Sequence, residues 1–273
     1  YTGLLDLGYI AFYAIGAYTA AILSIAGIPF WAGLPIVIIV GGAIRLGLGA
    51  PLLRLRGDYL AIVTLGFGEI VRLVLVNLEP ISNGPKGLPR VEEKFLDISL
   101  FGFKFTENIH FYYLIFAFLL IAILISYRLE HSRLGRALVA IREDELAATL
   151  TGVNVARVKA VAFTISGVIG AVAGAIYTHW NGFVSPEQFT FWESILIVAM
   201  LVIGGMGNIA GVILGVVLLV AVPEVLRASL GTAFVDYRML LFGIIMIVAI
   251  IYRPQGLIPS KRRALELKPV EVE

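Results

Sequence analysis

From Leu7 to Ile44 the chain carries no Asp, Glu, Lys or Arg, and from Ser194 to Pro223 it runs thirty residues without one. A helix crossing the hydrocarbon core of a bilayer needs about 20 mostly apolar residues. Stretches of this kind exclude a soluble fold. Composition agrees: 59% of the 273 residues are apolar, 15% are charged and the mean hydropathy is +0.95, against about 45–50% and about 25% for a soluble domain. Disorder is excluded as well, because it needs low hydrophobicity and high charge. Twenty-one basic against nineteen acidic residues leave a net charge of +2, too small to make the chain a nucleic-acid binder. Without cysteine there is no disulfide framework, thiolate metal site or cysteine nucleophile.

The apolar runs predict the spans. Gly27-Ile28-Pro29 divides the first run into helices over roughly 7–26 and 30–50. A third helix, 58–77, carries Glu69 and Arg72; Phe111–Tyr127 and Ala160–Trp180 follow. The thirty residues from Ser194 would make a helix of about 45 Å, longer than a hydrocarbon core of about 30 Å. The Gly204-Gly205-Met206-Gly207-Asn208 cluster at its centre therefore predicts two short elements, a broken or re-entrant pair around 193–223. A last helix covers about 235–252. The expected architecture is an all-α polytopic transmembrane bundle of about seven to eight membrane elements, with 1–252 as one transmembrane domain and 253–273 as a basic tail. No signal peptide is visible, and the opening at Tyr1, not Met, predicts further sequence before it.

Orientation follows from Lys and Arg in the connections. The segment 128–159 holds Arg128, Arg133, Arg136, Arg142, Arg157 and Lys159, Arg54 and Arg56 flank a turn, and the tail adds Arg253, Lys261, Arg262, Arg263 and Lys268. The 78–109 loop instead has Glu79, Glu92, Glu93, Asp97 and Glu107 against four bases, and the loops near 28 and 181–192 have no Lys or Arg. The basic set is expected in the cytoplasm and the other set outside. Both fit the helix order if 193–223 contributes an even number of crossings or a re-entrant pair.

No Gly-Lys dipeptide occurs, so the chain lacks the phosphate loop G-x-x-x-x-G-K-[ST]. His110, His131 and His179 are too far apart for H-E-x-x-H, and G-x-S-x-G is absent. Gly205 to Ala210 fits G-x-G-x-x-[G/A] but lies in a membrane run with no strand before it. Close helix packing explains it better: Gly207, Gly211 and Gly215 recur every four residues, and Gly170 and Gly174 do so in the preceding helix.

A charge at mid-bilayer costs about 2.5–3.5 kcal/mol on insertion scales. Glu69 and Arg72, three apart on a helix, can neutralise one another against a neighbouring helix or line a watery path. Arg45 is expected to snorkel to the cytoplasmic surface. His179 and Asn181, where a helix leaves the membrane, read as interfacial anchors or as rim contacts for a solute. The connection between Ser132 and Gly152 is long enough for its own helices, with Leu134, Leu138 and Ile141 on one stripe. Its Arg142-Glu143-Asp144-Glu145 cluster mixes both signs, which suits a protein partner better than anionic lipid.

Six stretches of the chain resemble one family: Gly3 to Tyr9 running on to Gly16-Ala17-Tyr18; Arg54 to Arg72; Asn83-Gly84-Pro85-Lys86-Gly87-Leu88; 132–152; Asn181-Gly182-Phe183-Val184-Ser185-Pro186 with Gly204 to Asn208; and Tyr252-Arg253-Pro254-Gln255-Gly256-Leu257. They resemble the membrane permease subunit, M-type, of the leucine, isoleucine and valine ABC importers. The resemblance implies a non-enzymatic subunit in a bacterial or archaeal cytoplasmic membrane that pairs with a second, homologous permease. It also implies two cytoplasmic ATPases, which bind the ATP and magnesium while this chain holds no cofactor, and an extracytoplasmic solute-binding protein. Ala147-Ala148 with Gly152 is similar to the coupling motif Glu-Ala-Ala-x-x-x-Gly, except that Leu146 takes the glutamate's place and the acid stands one residue earlier, at Glu145. By that likeness Arg142, Glu143, Asp144, Glu145, Ala147, Ala148 and Gly152 engage the ATPases. Thr64, Glu69, Arg72, His179, Asn181, Gly205 and Gly207 are candidates for the solute path, where the break at 203–208 could offer helix-end dipoles to a zwitterion. The family also implies helices before Tyr1. Urea or short-amide importers have similar permeases, so substrate stays open. An ion-coupled transporter would want several intramembrane acids, and only Glu69 is central.

Overall fold

The computed structural model describes residues 6–52, 58–89, 98–100, 103–105 and 107–225, with the short stretches 243–244, 246–248, 251–252 and 256–258. Two compact units result, Tyr1–Ser194 and Ile195–Glu273. In the first, helices α1 (Tyr9–Ile25), α2 (Phe30–Leu52) and α3 (Asp58–Asn77) come first, followed by the short α4 (Glu79–Ser82). The long α5 (Asn108–Glu130), α6 (Arg133–Glu143), α7 (Glu145–Leu150), α8 (Val155–Asn181) and the start of α9 (Phe191–Gly204) complete it. Five stretches are long and apolar enough to cross a membrane: Phe30–Gly49, Tyr59–Asn77, Asn108–Glu130, Val155–Asn181 and Pro186–Gly204. Tyr9–Ile25 and Ile209–Val225 are shorter apolar helices. The expected count of seven to eight is therefore represented by five stretches of spanning length among the described residues, and most of the helix expected at 235–252 lies outside them.

The centre of the first unit is α8, packed against α1 and α2 with almost no side chain between the backbones. A Cβ on Gly16 of α1 would lie 2.0 Å from the Ala171 carbonyl oxygen, and one on Gly174 of α8 would lie 2.0 Å from that of Tyr13. On α2, a Cβ at Gly41 would meet the Ala171 Cβ at 2.6 Å. Lipid offers helices no hydrophobic drive to associate, so close van der Waals approach through small residues holds such a bundle together. α5, in contrast, is mostly exposed. It shares with α2 and α8 a cavity of about 510 Å³ whose walls are aliphatic and aromatic, with the phenols of Tyr13 and Tyr177 and the indole of Trp180 as its polar groups.

The connections sort by end. Strand β1 (Leu88–Pro89) pairs antiparallel with the strand Phe183–Val184, joining the 78–107 connection to the one after α8. Between them in the chain, β2 (Ser99–Leu100) and β3 (Phe103–Lys104) form a hairpin, so Phe183–Val184 is β4. Ile98 is buried in one cluster with Ala20, Phe30, Phe111 and Ile176, which adds the loop near 28 to the same end. At the other end lie Asp6, Arg45 and Phe163 and the α6–α7 segment. The described parts of the 78–109, 28 and 181–192 connections thus share one end and the basic 128–159 segment lies at the other, as the charge count predicts; the turn at Arg54 and Arg56 and most of the tail lie outside the described residues.

In the second unit α9 and α10 (Ile209–Val216) run antiparallel. A Cβ on Gly204 would be 2.3 Å from the Gly211 carbonyl oxygen, and one on Gly215 would be 2.2 Å from that of Met200. Gly205 (φ +116°) and Gly207 (φ +86°) make the turn between them, a backbone only glycine adopts at little cost. The side chain of Asn208 caps α10, accepting from the Ala210 amide at 3.0 Å. The carbonyls left open at the end of α9 accept from later chain: Ile203 from the Leu257 amide at 2.8 Å and Gly204 from the Ile258 amide at 3.1 Å. Ala199, Ile203 and Leu219 form the small core, and a π-helical turn, Val217–Ala221, follows α10.

Candidate functional site

The α6–α7 segment is built by caps. Ser132 turns the chain out of α5: its hydroxyl donates to the Leu129 carbonyl (2.7 Å) and accepts from the Gly135 amide (3.1 Å). The corner is tight enough that a Cβ at Gly135 would lie 2.2 Å from the Glu130 carbonyl oxygen. α6 buries Leu138 and Ile141, the stripe expected from its spacing, while Leu134 is half-buried. Asp144, with extended backbone, ends α6 and starts α7, its carboxylate accepting from the Leu146 (2.8 Å) and Ala147 (3.0 Å) amides. α7 ends in a Schellman arrangement: the Val153 amide donates to Ala148 and that of Gly152, at φ +86°, to Thr149. Gly152 is thus required by the stop of the helix, with open space where a side chain would be. Asn154 then caps α8 through the Arg157 amide at 3.0 Å.

The residues expected to couple divide by direction. Glu143, Asp144 and Ala147 are exposed, Ala148 is buried and Arg142 half-buried. Glu145 turns inward, its Oε1 3.0 Å from the Nζ of Lys159 on α8, which is only 2% exposed. Two residues outside the expected coupling set point out: Leu146, noted in the sequence only as a departure from the motif, is 70% and Leu150 80% exposed. They stand four apart, on one face of α7; their spacing was the available signal.

The charges within the spans behave differently from one another. Glu69 and Arg72 pair on α3, with Arg72 Nε 2.9 Å from Glu69 Oε1, and both keep partial exposure. Thr64, one turn earlier, is buried: its hydroxyl accepts from the Leu7 amide and donates to the Ala61 carbonyl, tying α3 to the start of α1. Arg45 does not snorkel. It is 2% exposed, its guanidinium pairs with Asp6 and donates to the Phe163 carbonyl at 3.3 Å, and it is sandwiched between the rings of Phe12 and Phe163 at 4.2 and 4.5 Å. Its stem passes over Gly167, where a Cβ would lie 2.7 Å from its Cγ. The carboxylate that retains it stands thirty-nine residues away in sequence, beyond the reach of local reading.

His179 is buried against Phe30 at the acidic-loop end, its Nδ1 2.9 Å from the Ala175 carbonyl oxygen. Asn181 is exposed and donates to the Phe183 carbonyl. Gly170 faces the Tyr9 ring beside the Gly174 contact, and Gly211 and Gly215 meet α9. Gly207 lies in the turn before α10, not on its face.

A family model described as the branched-chain amino acid transport system permease component matches residues 1–250. The chain belongs to this permease family. Among its relatives, the high-affinity branched-chain amino acid transport system permease protein LivM of Salmonella typhimurium is 44% identical over 98% of the chain, and that of Escherichia coli K12 is 43% identical over the same share. The chain spans 66% of the length of each. LivH of the Salmonella system is 32% identical over 48% of the chain and 41% of its own length. No solved structure matches the chain.

Proposed function

We propose that this chain is a permease subunit of an ABC importer for branched-chain amino acids, working beside a second, LivH-like permease to form the solute path. Two cytoplasmic ATPases dock beneath, holding the ATP and magnesium, and an extracytoplasmic binding protein delivers the amino acid to the end where β1 and β4 meet. The membrane is the cytoplasmic one, with the basic segment and the tail on the ATPase side. The relatives' names supply the substrate class. The observation that carries the mechanism is α7: a helix of six residues, capped at both ends and presenting Leu146 and Leu150 to solvent at the basic end. Exposed leucines on a rigid element fit an apolar groove in a partner, and the mixed charges of Glu143, Asp144 and Arg142 beside them set its register.

The solute path runs along α3. The large cavity beside α5 is walled by apolar groups and would leave a zwitterion's two charges unpaired. Glu69 and Arg72, by contrast, put a carboxylate and a guanidinium on the partly exposed side of α3 among Ile62, Ile70 and Leu73. Charges in a span face the bundle interior or water, not lipid, so this side of α3 belongs against the second permease. Replacing Leu146 and Leu150 together by Asp removes the ATPases from the affinity-purified complex while the permease pair stays in the membrane. Full retention of the ATPases would contradict the docking role of α7.

A further inference from the structure

Lys159 is the one described ammonium buried to 2% exposure, and what it holds is the first residue of α7. Lysine is almost never fully buried unless paired, and the desolvation of an ammonium, several kcal/mol in real proteins, is offset only by a partner of good geometry. Glu145 provides that partner at 3.0 Å. α7 therefore has two working sides: Leu146 and Leu150 face out, while Glu145 reaches back to α8. Beyond Lys159, α8 has no slack. One turn on, Phe163 receives the Arg45 guanidinium from α2 through its carbonyl and its ring, and Gly167 lies against the Arg45 stem. Further along, Ala171 and Gly174 touch the backbones of α2 and α1. Contacts this close transmit displacement without being compressed.

We propose that the Glu145–Lys159 ion pair is the joint through which movement of α7 is passed to α8, and with it to α1 and α2 as one body. The proposal rests on the ABC-permease reading above and adds positioning residues to it: neither side chain touches solute, and Glu145 serves the permease's own membrane helix in place of a docking partner. The test uses the whole complex in liposomes, with leucine uptake and ATP hydrolysis measured together for Lys159→Met, Glu145→Gln and the reversed pair Lys159→Glu with Glu145→Lys. The ATPases stay bound in all of them. Leucine moved per ATP falls by at least about fivefold in the single variants, the lower end of ordinary coupling free energies, and the reversed pair restores it. An unchanged ratio in the single variants, or a reversed pair as poor as they are, overturns the proposal. Should Lys159→Met fail to accumulate in the membrane, Glu145→Gln, which keeps size and shape, decides alone by the same ratio. A wild-type complex that shows no ATP-dependent uptake overturns instead the reading of function beneath it.

Discussion

Arg45 shows how much one side chain can organise. Its guanidinium joins the stretch before α1, through Asp6, to α2 and to α8, with aromatic rings of Phe12 and Phe163 on it. Cation–π contacts gain when desolvated, to about 2 kcal/mol or more, and the ion pair is costly to break from one side. Arg45→Met leaves the Asp6 carboxylate without its partner, and removal of one member of a buried pair costs about 3–5 kcal/mol. Denaturant unfolding in micelles should show a loss of that size, and Arg45→Met with Asp6→Leu should recover part of it. A single variant as stable as the wild type would show the pair to be idle. Such a residue was not legible in sequence: a lone Arg near the end of an apolar run reads as a snorkelling cation until its distant partner is seen. Gly152 was singled out only by its likeness to the coupling motif, and its place as the left-handed cap of α7 became visible once the end of that helix was in view. The one-residue displacement of the acid to Glu145 was legible as a departure, but its direction toward Lys159 was not.

At the scale of elements, sequence spacing located the helices well and their depth poorly. The helix expected over 58–77 is α3, Asp58–Asn77. The one expected at Ala160–Trp180 begins earlier, at Val155, because the Asn154 cap and the polar turn after it extend it by more than a turn beyond the apolar run. The break in the thirty-residue run is visible in its glycines, but the antiparallel return of α10 on α9 depends on contacts among Gly204, Gly211 and Gly215 that no local pattern reveals. Glycines differ sharply in what they permit. Gly174→Ala places a methyl 2.0 Å from the Tyr13 carbonyl oxygen, so α1 and α8 must separate, at the roughly 1–3 kcal/mol typical of overpacking. Gly47, on α2, has nothing within 4 Å of its Cβ position, and Gly47→Ala should be neutral or gain up to about 1 kcal/mol. Unfolding midpoints of the two variants compare them directly; equal midpoints would contradict the tight α1–α8 seam.

For the whole molecule, the balance of basic and acidic residues anticipated which described connections of the first unit share an end, and the β1–β4 pairing and the Ile98 cluster place them so. The account makes this chain a gate moved from the basic end by subunits that hold the nucleotide. A ligand shifts a two-state equilibrium only by its differential affinity for the states, so in the proposed importer ATP would act through a different grip of the ATPases on α7 in their open and closed forms. The most direct measurement is solute uptake into vesicles containing the complete complex, with leucine and urea supplied in parallel, with and without ATP. The account predicts leucine accumulation that requires ATP, with urea left behind. Accumulation of leucine driven by an ion gradient without ATP, or preference for urea, would contradict it.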